Sequence, residues 1–206
     1  STATTIGYIP DLYFQAVGSG TGAIAAWEAN LRLIGDGRFG TRKMKLWLSQ
    51  NFPFHPMVDA WKARSRDLFP MEDQKARELV SRIDAKVLSN RKPPYAISGG
   101  LFDALTDTGG EMVVMTNEEA ATATGLFAKL EGIDIHPAAA VATASLIAAV
   151  ERKEVPADAV IMLNITGGGE ERLKREKKDL VYLQPSLIID VEITREELFK
   201  KLKEIF

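Results

Sequence analysis

Glycines alternate with hydroxyl residues in one short segment, Gly18-Ser19-Gly20-Thr21-Gly22. This segment follows an apolar run, Tyr13 to Val17, and precedes a stretch of helical composition, Ala23 to Leu33. Backbone amides at the start of a helix, with two hydroxyl groups beside them, form a good site for a phosphate. A tight turn whose glycines serve only close packing would use the same residues. The spacing therefore leaves a phosphate site and a packing turn both open.

Two nucleotide-binding interpretations of this loop are disfavoured. Gly18, Gly20 and Ala23 satisfy the relaxed dinucleotide pattern, but that fold needs an acidic residue at the end of the next strand. The next strand here ends in Ser49-Gln50-Asn51. A nucleoside triphosphate loop needs Lys-Ser or Lys-Thr after its glycines, and neither pair follows them.

Thr166 is the second candidate for ligand binding. It follows an apolar run, Ala159 to Ile165, that predicts a buried strand, and it precedes Gly167-Gly168-Gly169. Open α/β sheets bind ligands at the carboxyl ends of their strands, where a hydroxyl can pair with a ring nitrogen. A flexible turn after the strand explains the same residues equally well.

The remaining polar residues give weaker signals. His55 and His136 lack metal-ligand spacing, so we interpret both as structural and expect no metal site. Arg91 and Lys92 could hold a substrate phosphate or sulfonate, although charges in surface loops usually bind nothing. Cysteine is absent and no Ser-His-Asp set can be assembled.

The elements that position these residues alternate between strands and helices. Further strands are predicted at Met44 to Leu48 and Met112 to Met115. Helices or helical segments are predicted at Met57 to Phe69, Glu72 to Val87, Asn117 to Leu130 behind a Thr116/Glu119 capping box, Pro137 to Arg152, the charge run Glu170 to Lys178, and a terminal helix opened by a Thr194/Glu197 capping box. This alternation predicts a three-layer α/β sandwich with a mostly parallel sheet, as a single domain over 1–206.

Composition narrows the possible partners. The 206 residues include 26 basic and 28 acidic side chains, for a net charge of −2. This balance, without a basic block, argues against nucleic acid as a partner. No apolar run reaches the roughly 20 residues of a membrane helix, so no membrane partner is expected. The absence of cysteine favours the cytoplasm. The start at Ser1 without Met suggests a sequence entered in mid-protein.

The order of three segments resembles the fold-type II pyridoxal-phosphate (PLP) enzymes, whose fold is tryptophan synthase beta-like. These segments are Tyr13 to Gly22, Glu131-Gly132-Ile133 leading to Pro137-Ala138-Ala139-Ala140, and Leu163 to Gly169. Within that class the chain resembles the C-terminal half of the cysteate synthases, archaeal relatives of threonine synthase. The likeness is carried by Ala26-Trp27-Glu28-Ala29, Asp36-Gly37-Arg38-Phe39-Gly40, Pro94-Tyr95 and Ser98-Gly99-Gly100-Leu101.

The resemblance implies a cofactor, a reaction and roles for the candidate residues. Gly18, Ser19, Gly20, Thr21 and Gly22 would cradle the phosphate of PLP, and Thr166 would meet the pyridine nitrogen. The implied reaction replaces the phosphate of O-phospho-L-serine with sulfite, giving L-cysteate on the route to coenzyme M. Threonine synthase, with water as acceptor and a substrate one carbon longer, is the alternative enzyme. A non-catalytic phosphate-binding module is the alternative of another class.

One departure from the family pattern concerns the lysine that forms the Schiff base. In the family this lysine lies in an N-terminal half, and no segment here matches its surroundings. Lys43, Lys45 and Lys62 have the wrong context, so no catalytic residue is assigned. We expect this chain alone to show no turnover, and the full-length enzyme to be a homo-oligomer.

Overall fold

The computed structural model describes residues 2–177, 179–181 and 183–205. The chain divides into two compact units, Ser1–Arg172 and Leu173–Phe206, and both candidate sites belong to the first. The single domain predicted over 1–206 stays a prediction. Both ends of that range and Lys178, the end of the predicted charge run, lie outside the described residues.

The first unit is built on a four-stranded sheet with the order β3-β2-β1-β4, in which every pair is parallel. Its strands are β1 (Leu12–Ala16), β2 (Lys45–Asn51), β3 (Glu111–Met115) and β4 (Ile161–Leu163). The predicted parallel α/β sheet is therefore confirmed. The prediction of a buried strand over Ala159 to Ile165 is wrong in extent and burial. Because β4 is an edge strand that pairs with β1 alone, it is short and half-buried.

The described helices lie before, between and after these strands in the sequence. They are α1 (Thr2–Ile6), α2 (Thr21–Asp36), α3 (Pro56–Lys62), α4 (Asp73–Arg82), a 3-10 helix (Lys86–Leu88), α5 (Leu101–Thr108), α6 (Asn117–Glu131), α7 (Pro137–Glu151), α8 (Glu170–Glu176) and α9 (Arg195–Lys203). None of the described helices is both long and apolar enough to cross a membrane.

Helices lie on both faces of the sheet, which confirms the predicted three layers. On one face Leu46 and Leu48 of β2 are fully buried in a cluster with residues of α2, α3 and α5. On the other face Phe14 and Trp47 stack with ring centroids 5.4 Å apart and pack, with Ala149, beneath α7. Full burial of an aliphatic or aromatic side chain contributes about 1.5–3 kcal/mol. The small residues of α7 allow α6 to pack closely against it.

Two predicted helices end earlier than expected. The helix predicted over Met57 to Phe69 stops at Lys62, because Arg64 adopts the left-handed region with φ 55° and the chain turns there. The segment predicted over Glu72 to Val87 breaks at Ile83, which is extended and fully buried. The 3-10 helix follows this break.

Both predicted capping boxes are confirmed. Thr116 opens α6 with Glu119 returning the bond, and Thr194 opens α9 with Glu197. The charge run from Glu170 forms α8, whose residues are not buried. The short helix α5 was not predicted from the sequence.

Candidate functional site

The glycine loop joins the buried strand β1 to the start of α2, as the sequence predicted. Gly20 is the N-cap residue of α2 and has φ 82°, a left-handed conformation that favours glycine. The loop therefore leaves the carboxyl edge of the sheet and turns directly into a helix of 16 residues.

One side of the loop packs tightly against three other parts of the chain. A Cβ atom added to Gly18 would lie 2.7 Å from the Val87 carbonyl oxygen, and one on Gly20 would lie 2.7 Å from Leu101 Cδ2. A Cβ on Gly22 would lie 2.6 Å from Gln15 Nε2. The glycines thus have the packing role that the sequence left open. This packing holds the loop backbone in place.

The donors of the loop suit a phosphate. Ser19 Oγ and Thr21 Oγ1 are 2.9 Å apart, and the Thr21 amide donates to Ser19 Oγ at 3.3 Å. Because glycine has no side chain, Gly20 supplies no capping bond to the first amides of α2. The positive end of the helix dipole lies at these amides. Backbone amides and two hydroxyls are the donor set that phosphate prefers, so these residues fit the phosphate of PLP.

Thr166 lies at the same edge of the sheet as the loop. The register pairs Phe14 of β1 with Leu163 of β4, and the Asn164 amide donates to the Phe14 carbonyl at 2.9 Å. Adjacent strands are about 4.8 Å apart, and parallel strands have their carboxyl ends on one side. The Thr166 side chain is exposed, and its hydroxyl makes no hydrogen bond to the described part of the chain. The glycine loop and Thr166 therefore follow neighbouring strands at the same edge of the sheet.

Thr166 borders a cleft of about 360 Å³ that the sequence did not predict. The cleft is lined by Asp84, Ala85, Lys86, Val87, His136, Pro137, Ala138 and Thr166. Lys86 Nζ donates to the Val80 and Ser81 carbonyls at 3.1 and 2.7 Å, at the end of α4. The amine of Lys86 is therefore already engaged, although its residue borders the cleft.

A buried polar chain runs beneath the two candidates. Asn164 Nδ2 donates to the Tyr13 hydroxyl at 2.8 Å, and that hydroxyl donates to Gln15 Oε1 at 3.1 Å. Burial raises the pKa of Tyr13, and the bond from Asn164 opposes this rise. This series of hydrogen bonds connects β4 to β1 and reaches Gly22 through Gln15. Its only signal in the sequence is a glutamine inside an apolar strand.

Two asparagines hold the segment that packs against Gly18. Asn51 Oδ1 accepts from the Ala85 amide at 3.1 Å, and Asn51 Nδ2 donates to Asn117 Oδ1 at 3.0 Å. Asn117 Oδ1 also accepts from the Asp84 amide at 3.1 Å. These bonds fix Asp84 and Ala85, which directly precede the 3-10 helix. The Val87 carbonyl of that helix contacts Gly18. Sequence reasoning missed both residues.

The other charged candidates lie elsewhere. Arg91 Nη1 pairs with Asp73 Oδ1 at 2.6 Å, and Arg91 and Lys92 border a separate cavity of about 100 Å³. His55 Nδ1 contacts Asp59 Oδ1 at 3.1 Å within the first turn of α3. Of the two histidines, His136 borders the Thr166 cleft.

Comparison with known proteins gives matches along most of the chain. The family described as "Pyridoxal-phosphate dependent enzyme" matches residues 2–167. The cysteate synthase of Methanosarcina mazei is 54% identical over 198 residues, covering 95% of this chain and 47% of that protein. The cysteate synthase of Methanocella paludicola is 49% identical over 203 residues, covering 98% of this chain and 47% of that protein. The chain thus spans about half the length of the curated relatives it matches.

Solved structures share the fold at low identity. A threonine deaminase from T.th. matches with a TM-score of 0.56 and 15% identity, covering 82% of this chain and 53% of that chain. Maize serine racemase matches with a TM-score of 0.54 and 12% identity, covering 95% of this chain and 48% of that chain. Together with the family match, these structures confirm the predicted fold-type II architecture.

Proposed function

The chain belongs to the pyridoxal-phosphate dependent enzymes, and from this premise we propose that it is the half of a cysteate synthase that holds the cofactor's phosphate and ring nitrogen. The whole enzyme would convert O-phospho-L-serine and sulfite to L-cysteate and phosphate, in the cytoplasm and on the route to coenzyme M. One observation carries this proposal: 54% identity to a cysteate synthase along 95% of this chain.

The glycine loop would hold the phosphate of PLP. The first amides of α2 and the hydroxyls of Ser19 and Thr21 can donate to phosphate oxygens, with the helix dipole favouring the negative charge. A hydrogen bond to a charged group is worth about 1.5–3 kcal/mol. Packing of Gly18, Gly20 and Gly22 against the protein keeps these donors from rearranging when the anion binds.

Thr166 would meet the pyridine nitrogen. Its hydroxyl is neutral, so it hydrogen-bonds the nitrogen without fully protonating the ring. When bound, PLP supplies the electron sink for loss of the substrate phosphate and addition of sulfite. A ring that is not fully protonated suits this elimination and addition better than it suits deep carbanion stabilisation.

No lysine of this chain is assigned to the Schiff base. Lys86 borders the Thr166 cleft, but its amine binds two helix carbonyls. We propose that the rest of the enzyme supplies the lysine, and that the complete enzyme is a homo-oligomer. This chain alone would bind the cofactor weakly and turn over no substrate.

A titration of this chain with PLP tests the proposal. We expect binding by absorbance, competition by inorganic phosphate, and no single modified lysine after borohydride reduction and mass analysis. Gly35→Ala, far along α2, is the control for Ser19→Ala and Thr21→Ala, which should weaken binding. A specific adduct on one lysine, with Lys86 the first to inspect, would overturn the half-enzyme proposal.

Assays of the complete enzyme test the reaction. We expect cysteate from O-phospho-L-serine and sulfite, detected by mass spectrometry. Formation of threonine from the substrate one carbon longer and water, without cysteate formation, would instead identify a threonine synthase.

A further inference from the structure

We propose that Asp134 and His136 are positioning residues that set the Thr166 hydroxyl by clamping the turn Gly167–Gly169. This inference rests on the proposed function, because it assigns a purpose to the position of Thr166 toward the cofactor ring. Neither residue was predicted to take part in the site, and His136 was interpreted only as structural.

Residues 134–136 form the clamp, and their main chain pairs with both ends of the turn. The His136 amide donates to the Gly167 carbonyl at 2.9 Å, and the Gly169 amide donates to the Asp134 carbonyl at 2.8 Å. Between them Ile135 and Gly168 form an antiparallel bridge. Thr166 directly precedes the first of these contacts. Its backbone is therefore fixed from the α6–α7 connection as well as from β4.

The clamp and the turn are in such close contact that side chains are excluded. A Cβ atom on Gly168 would lie 2.3 Å from the Asp134 carbonyl oxygen, and one on Gly167 would lie 2.5 Å from His136 Nδ1. Gly169 has φ 83°, which favours glycine. The three glycines after Thr166 are thus explained by the clamp.

The side chains of the clamp hold the far end of the turn. The Asp134 carboxylate accepts from the Glu171 and Arg172 amides at 3.1 and 3.2 Å, and His136 Nε2 contacts Glu170 Oε1 at 3.0 Å. Desolvation opposes ionisation of Asp134, but the backbone amides prevail and hold the pKa of its carboxyl below the ordinary value. The turn is therefore anchored at both ends, with Thr166 at one and Glu170 at the other.

The test separates binding at the ring from binding at the phosphate. Dissociation constants for PLP and for inorganic phosphate are measured by calorimetry on the complete apoenzyme and its variants. Thr166→Ala and Asp134→Ala should each weaken PLP binding about fivefold, the effect of one lost hydrogen bond. Both should leave phosphate binding unchanged, because phosphate contacts only the glycine loop. Asp158→Ala, which truncates an exposed aspartate away from the turn, is the control and should change neither constant.

A double variant shows whether the clamp acts through Thr166. The Asp134→Ala/Thr166→Ala variant should bind PLP no more weakly than Thr166→Ala alone. Additive losses, or equal losses for PLP and phosphate, would overturn the inference. His136→Asn removes the imidazole and places a favoured N-cap residue at the start of α7, so it serves as a second variant should Asp134→Ala fail to fold. It should repeat the selective loss of PLP binding.

Hydrogen exchange distinguishes the two possible failures. Asp134→Ala should speed amide exchange in the peptide covering 167–172. Failure of the unmodified enzyme to bind PLP would overturn the proposed function. Amide hydrogen exchange alone would then test the clamp. Normal PLP binding together with unchanged exchange and unchanged affinity in Asp134→Ala would overturn the clamp and leave the proposed function standing.

Discussion

Replacing Gly20 by alanine tests whether the glycine loop is held by packing. An L-residue at φ 82° costs about 1–2 kcal/mol. The new Cβ would also lie 2.7 Å from Leu101 Cδ2, and overpacking of this kind costs about 1–3 kcal/mol. We therefore expect Gly20→Ala to lower the free energy of unfolding by about 2–5 kcal/mol, measured by urea denaturation.

Two controls separate the contributions. Gly35 lies in the same helix with nothing within 4 Å of its Cβ position, so Gly35→Ala should stabilise the protein by about 0.5–1 kcal/mol. Leu101→Ala removes the clashing side chain and leaves the backbone strain. The double variant Gly20→Ala/Leu101→Ala should therefore cost about 1–3 kcal/mol less than the sum of the single variants. Additivity within about 0.5 kcal/mol would refute the contact as the reason for glycine at this position.

Two further predictions concern the polar core and the response to alkali. Asn51→Ala leaves the Ala85 amide without its acceptor and should destabilise the protein by about 2–3 kcal/mol in urea unfolding, whereas the exposed Asn90→Ala should change stability by less than about 0.5 kcal/mol. Burial raises the pKa of Tyr95 to about 12, although Arg66 lowers it. The contribution of Tyr95 to the free energy of unfolding is therefore complete below its pKa in the unfolded chain, about 10. This contribution is lost as pH rises toward its pKa in the folded protein. Tyr95→Phe should flatten the fall in stability between about pH 10 and 12, and an unchanged slope would contradict this assignment.

Local patterns in the sequence predicted the elements that carry the candidate site. Glycine spacing marked the junction between β1 and α2, and capping boxes marked the starts of α6 and α9, because these signals depend on residues within a few positions of each other. The edge position of β4 was not predictable in this way. An apolar run reports composition, and burial depends on how many strands and helices surround it.

The polar contacts beneath the site escaped prediction because their partners are distant in sequence. Asn51 binds Ala85 and Asn117, which lie 34 and 66 positions away. Asp134 reaches Glu171 across 37 positions. No local pattern distinguishes these side chains from ordinary loop and strand-end residues. Only the sheet order and the helix packing bring them together.

Packing and phosphate binding were alternatives for the glycine loop when only its spacing was considered, but the structure makes them compatible. The positions that would carry side chains face Val87, Leu101 and Gln15, so the glycines are needed on the inner side of the loop. The donors suited to an anion are on the backbone and on the hydroxyls of Ser19 and Thr21. A loop whose backbone is already fixed by packing loses little conformational entropy when it binds a ligand. Close packing therefore supports the proposed cradle, and the overpacking introduced by Gly20→Ala should weaken phosphate binding along with stability.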